Sequence, residues 1–196
     1  MKPILTSILL AGASFLLFPQ LSPTTQSPQD PAVTAMTNKQ KITTFLWFDA
    51  DAEKAVRFYT SLFADSKIIT ESRWGEGGPV PKGTLMSASF RLAGQEFMAL
   101  NGGPMYHFTE AISLHVDCED QAEVDRLWTK LCADGGEPGR CGWLKDKFGL
   151  SWQIIPRQLG EWLRDKDADK ARRVAGVMMQ MGKLDIAQLR LAYEGR

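Results

Sequence analysis

Sliding the sequence along itself by 68 positions places Asp49 on Asp117, Val56 on Val124, Tyr59 on Leu127 and Phe63 on Leu131. A repeat of this size marks two copies of one supersecondary unit, and neither copy buries its apolar face alone. The two must pack together, and the packing leaves a shared concavity suited to a small molecule.

Within each copy the pattern runs strand, helix, strands. Ile42–Phe48 is β-branched and aromatic, as a buried strand is. Asp49 and Asp51 then stand where a helix cap belongs, ahead of Ala52, Ala55, Val56, Tyr59, Leu62 and Phe63 at helical spacing. Ser66–Trp74 reads as a strand, Gly75–Gly83 as an exposed loop, and Leu85–Leu92 with Glu96–Leu100 as a hairpin turning at Ala93-Gly94. The second copy offers a strand at Ala111–Val116, an acidic cap at Asp117–Asp120, and a helix face of Val124, Leu127, Trp128 and Leu131. Gly135 and Gly136 stop that helix, short strands follow over Glu137–Trp143 and Leu144–Asp146, and Ser151–Pro156 is the last strand. The spacing then predicts three helices, over Leu159–Leu163, Ala168–Met181 and Ile186–Tyr193 with Asp185 as cap. The expected fold class is α+β: two βαβββ modules, about 42–101 and 110–156, within a domain over 36–157, followed by a helical extension over 158–196.

Residues 1–35 differ in kind. Lys2 precedes a 15-residue apolar run, Ile4–Phe18, and then Pro19–Pro31 is rich in Pro, Ser, Thr and Gln. The run is short of the roughly 20 residues a spanning helix needs, and fits a secretory signal followed by a linker. Two readings stand side by side. Either residues 1–35 export or tether the protein, or a cytoplasmic product starts near Met36.

With 23 basic and 23 acidic side chains, the chain has no net charge to draw nucleic acid. Cys118, Cys132 and Cys141, odd in number and without a CxxC pair, read as small buried side chains rather than a disulfide or zinc framework.

Several stretches resemble the PhnB-like, 3-demethylubiquinone-9 3-methyltransferase-like branch of the vicinal-oxygen-chelate superfamily of glyoxalases, bleomycin-resistance proteins and dioxygenases. They are Phe45-Leu-Trp-Phe-Asp with Ala52-Glu-Lys-Ala-Val-Arg-Phe-Tyr, Ala99-Leu-Asn-Gly-Gly-Pro, Phe108-Thr-Glu-Ala-Ile-Ser, Val116-Asp-Cys-Glu-Asp-Gln-Ala-Glu-Val-Asp, Gly139-Arg-Cys-Gly-Trp-Leu-Lys-Asp-Lys-Phe-Gly-Leu-Ser-Trp-Gln and Gln180-Met-Gly-Lys-Leu-Asp-Ile. The resemblance implies a half-barrel cavity made by the two modules, and a homodimer. It does not choose among lyase, isomerase, dioxygenase and pure binder.

Metal-dependent relatives hold a divalent ion with His or Glu from the first and last strands of each module. Those positions fall here on Ile42 and Met98, and on or near Glu110 and Gln153, a poor donor set for a hard or borderline cation. No metal or other cofactor is expected. His115, between Leu114 and Val116, reads as a hydrogen-bonded sheet histidine. His107 and Glu110 are the catalytic candidates, as a general-base pair if the intervening loop folds inward. Trp47, Phe97 and Trp152 are candidate aromatic walls of the cavity, and Asn101, Thr109, Glu110 and Gln153 its orienting polar groups. Arg140 and Lys145 are candidates for attracting an anion. Gly75-Glu-Gly-Gly-Pro and Gly102-Gly-Pro do not open a helix, which argues against a methyl-donor site of the adenosyl type. Three functions follow: a binder without the usual metal site, a lyase or dioxygenase using His107, Glu110 and Gln153, and an interaction protein docking a partner through its C-terminal helices.

Overall fold

The computed structural model describes residues 40–196; the apolar start and linker expected over 1–35, and the alternative start near Met36, lie outside them. Both modules form as the repeat requires. The first contains β1 (Thr44–Phe48), α1 (Ala52–Thr60), β2 (Lys67–Arg73), β3 (Leu85–Leu92) and β4 (Gln95–Asn101). The second contains β5 (Ser113–Cys118), α2 (Gln121–Leu131), a 3-10 turn at Ala133–Gly135, β6 (Glu137–Pro138), β7 (Trp143–Lys145) and β8 (Ser151–Pro156).

Each module makes its own four-stranded sheet, ordered β1-β4-β3-β2 and β5-β8-β7-β6. The pairs β1–β4 and β5–β8 are parallel and the others antiparallel. Neither sheet closes into a barrel, so β1 and β5 are edge strands. The hairpin between β3 and β4 turns as expected at Ala93 and Gly94, both with positive φ (45° and 83°), the geometry that suits the twist of the flanking strands.

Strand alternation sorts each sheet into two faces. Leu46, Phe48, Phe90, Phe97 and Ala99 point inward from the first sheet, and Leu144, Trp152 and Ile154 from the second, into one core with Val56 and Tyr59 of α1 and Val124, Leu127 and Leu131 of α2. Phe63 stacks on Trp152 at 6.1 Å, Tyr59 meets the same indole edge-on at 5.4 Å, and Phe48 meets Phe148 at 6.3 Å. The modules therefore share one interior, and of the outer sheet faces the second is partly covered by the tail, which packs against Ile155. On the first, Phe45 (52% exposed) lies beside Met98 (39%). At the matching place on the second, His115 lies beside Gln153.

Several strand boundaries differ from expectation. β1 starts at Thr44, leaving Ile42 outside it, and β5 starts at Ser113, two residues later than the β-branched run suggested. The strand expected over Glu137–Trp143 is reduced to Glu137–Pro138, because Cys141 and Gly142 turn with positive φ to reach the tail.

The tail folds into α3 (Arg157–Leu163), α4 (Ala168–Met178) and α5 (Ile186–Glu194) around Leu159, Val174, Leu184 and Leu189. α4 ends three residues earlier than predicted. The following carbonyls are taken by the second module: Cys141 N–H donates to Met181 O and Gly142 N–H to Gly182 O, both at 2.8 Å. Among the described residues no helix is long and apolar enough to cross a membrane.

Candidate functional site

A cleft of about 820 Å³ lies between the modules. One wall is Thr44, Phe63, Leu92 and Phe97 of the first module; the other is the open edge of β5 with Trp152 behind it. Its far end is charged, formed where β5 runs into α2. Asp120 caps α2, its Oδ1 accepting from Glu123 N–H at 2.8 Å, and Glu123 Oε2 accepts in turn from Glu119 N–H at 2.9 Å. Arg157, the first residue of α3, reaches back across this end and pairs with Asp117 (3.3 Å) and Glu119 (3.5 Å).

The candidates named from sequence do not converge here. Phe97 and Trp152 border the cleft but are buried: Phe97 is stacked on Phe90 at 5.6 Å, and Trp152 has its indole N–H on Asp146. Trp47 lies on the other face of its sheet, donating through Nε1 to Gly103 O at 2.9 Å and meeting Tyr106 edge-on at 5.1 Å. Asn101 is a helix cap. Its Oδ1 accepts from Ala52 N–H at 2.8 Å and its Nδ2 donates to Leu85 O at 2.9 Å. The expected Asp51 cap is not made; that carboxylate turns out to Lys54. Thr109 and Glu110 are exposed in the connection before β5, with Thr109 Oγ1 accepting from Ala111 N–H at 3.4 Å.

Glu110 pairs with Lys145 at 2.6 Å, which holds its carboxyl below the usual glutamate range and weakens it as a base. His107 is exposed beside Trp47, Asp49 and Lys147, and no hydrogen bond joins it to Glu110 among the described residues. Gln153 donates to Ser113 Oγ at 2.8 Å. His107, Glu110 and Gln153 thus share no cleft. Arg140 is engaged with the tail through Met179 O at 3.0 Å. The hydrogen-bonded reading of His115 is replaced: among the described residues its side chain has no hydrogen-bond partner, and the residue is exposed on β5 at the border of the cleft.

The divalent ion of metal-dependent relatives does not fit these residues. Ile42 and Glu110 fall outside the strands, Met98 and Gln153 lie on outer faces of different sheets, and the Gln153 amide is occupied by Ser113. Among the described residues no group of three or more His, Cys, Asp or Glu is arranged to hold a metal ion. Gly102 and Gly103 follow β4 into an irregular loop rather than a helix. Of the cysteines, only Cys118 is fully buried, its thiol pushed up to about 12 by burial; Cys132 and Cys141 are half-buried.

Sequence reasoning missed Thr44, Leu114, Val116, Arg126 and Arg157 as cleft residues. The one available signal was the β5 pattern itself, and its two-residue offset hid which strand is left with an open edge.

Comparison with known proteins now bears on the fold. The family model described as 3-demethylubiquinone-9 3-methyltransferase matches residues 40–155. A PhnB protein from Bacillus cereus is 45% identical over 58% of this chain and 97% of its own, with a TM-score of 0.55. A protein from Pseudomonas aeruginosa is 21% identical over 58% of this chain and 94% of its own, with a TM-score of 0.48. A glyoxylase/bleomycin resistance protein/dioxygenase domain from Frankia sp. EAN1pec is 18% identical over 58% and 88%, with a TM-score of 0.37. No curated protein matches the chain. With its paired βαβββ modules and a match spanning both, the chain belongs to the 3-demethylubiquinone-9 3-methyltransferase family, the PhnB-like branch of the vicinal-oxygen-chelate superfamily.

Proposed function

We propose that the protein binds a small organic molecule in the cleft between its modules, and that this binding does not depend on the divalent site of metal-dependent relatives. The observation that carries the reading is the cleft: about 820 Å³, within the range of small-molecule sites, with apolar walls from both modules and charged groups gathered at one end. The sequence candidates for catalysis support it from the other side. Glu110 is tied to Lys145, and Gln153 to Ser113, so neither is free to work on a common substrate atom. The methyltransferase wording of the family description has no counterpart in the glycine-rich turns of this chain.

A thermal-shift screen against metabolites, quinones and antibiotics tests the reading, followed by Val116→Trp, which fills the cleft from the β5 edge. Hits that raise Tm in the wild type and lose that effect in Val116→Trp support it; hits that are indifferent to the substitution contradict it.

The homodimer implied by the resemblance belongs to the same proposal, with the second copy covering the outer face of the first sheet at Phe45, Met86 and Met98, three exposed apolar side chains. Sedimentation of the wild type and Phe45→Glu checks it: a dimer that becomes a monomer is expected, and a wild-type monomer removes this part.

A further inference from the structure

The charged end of the cleft is one-sided. Asp117, Glu119, Asp120 and Glu123 line it against Arg126 and Arg157, an excess of two negative charges in a chain whose formal charge is zero. Helix α2 begins here, and a bare helix N-terminus would favour an anion. That preference is already spent on the chain itself, because Glu123 N–H is bound by Asp120 and Glu119 N–H by Glu123. Arg126 is not free to receive an anion either: its Nη1 donates to Leu62 O at 2.7 Å and its Nη2 faces Glu123 at 3.6 Å.

The place of Arg157 is the more specific indication. Its guanidinium sits across Asp117 and Glu119 at the charged end of the cleft. It is more than half exposed and held only by solvated ion pairs, so a competing cation displaces it at small cost. Arg157 also stands just past residues 40–155, the part matched by the family. Beyond the charges, the half-buried Phe63, Leu114 and Val116 and the exposed Ile112 offer an apolar surface for the body of a ligand.

We infer that the cleft takes a lipophilic organic cation, with its positive group on the Asp117–Glu119 pair and Arg157 acting as a built-in competitor that sets selectivity. The inference rests on the cleft being the ligand site.

The test uses two probes of nearly equal shape and opposite charge, tetraphenylphosphonium and tetraphenylborate, titrated calorimetrically into the full chain at constant ionic strength. The phosphonium is expected to bind more tightly than the borate. Arg157→Gln should tighten the phosphonium roughly three-fold, the size of one charge acting across a wet cleft within a Debye length, and should loosen the borate. Glu119→Gln, a second exposed change, should loosen the phosphonium by a similar factor. Borate binding that equals or exceeds phosphonium binding, or an Arg157→Gln variant that weakens the cation, overturns the inference and leaves the cleft reading standing. Binding of both probes that persists in Val116→Trp places them elsewhere and overturns both, as does binding of neither probe.

Discussion

The Tyr59 hydroxyl donates to Asp146 Oδ2 at 2.7 Å, joining the helix of the first module to the β7–β8 turn of the second inside their common core. The Trp152 indole N–H reaches the same oxygen at 2.8 Å, and the Phe148 and Leu150 amides reach Oδ1 at 2.8 and 3.1 Å. Four donors hold this buried carboxyl, and among the described residues it has no ion-pair partner. Removing the Tyr59 hydroxyl with Tyr59→Phe should cost about 1–2 kcal/mol in urea unfolding. Asp146→Asn should cost more, about 2–4 kcal/mol, because an amide cannot accept from every donor now facing the two oxygens. Both variants should still unfold in one transition, since the core is shared.

Burial pushes the Asp146 carboxyl above its ordinary range despite those four hydrogen bonds. A raised folded pKa means that the folded protein holds the proton where the unfolded chain has lost it. Stability from this group is then fully present below the unfolded aspartate pKa and is lost as pH rises through the folded value. The stability of the wild type minus that of Asp146→Asn should therefore shrink as pH is raised from the usual aspartate range. Urea unfolding of both proteins across mildly acidic to neutral pH measures it.

Asn101 separates a structural role from a binding one. Asn101→Ala removes the acceptor for Ala52 N–H and the donor to Leu85 O, and should cost about 1–2 kcal/mol without changing the affinity of a ligand in the cleft. Calorimetric titration beside thermal melting checks both halves.

The module architecture was legible because the 68-residue repeat, the alternation in β3 and β4 and the apolar faces of α1 and α2 are local patterns. The site was not, for a physical reason. Asn101, Gln153 and Glu110 look like convergent polar groups in one dimension, yet each satisfies a nearby backbone or side-chain partner once folded. Which strand keeps an open edge depends on sheet order, which no local pattern encodes. Arg157 could not be assigned to the cleft until α3 was seen to start directly at the end of β8.

Gly142 is where the tail meets the second module, and its φ of +84° disfavours any side chain. An added Cβ would also lie 2.7 Å from Ile155 Cδ1, 2.9 Å from Ile154 O and 3.1 Å from Leu184 Cδ1. Gly142→Ala should destabilise by about 2–4 kcal/mol. Because the strain falls on the junction with Leu184, limited proteolysis should cut within 157–196 faster than in the wild type, leaving the two-module domain.

The most direct measurement is an amide chemical-shift map of the full chain titrated with a screening hit that stabilises it. Shifts concentrated at Thr44, Leu114, His115, Val116 and Arg157 are the predicted result. Shifts confined to the outer sheet face around Phe45 and Met98, or to the loop around His107, with the β5 edge unmoved, would contradict a ligand site between the modules.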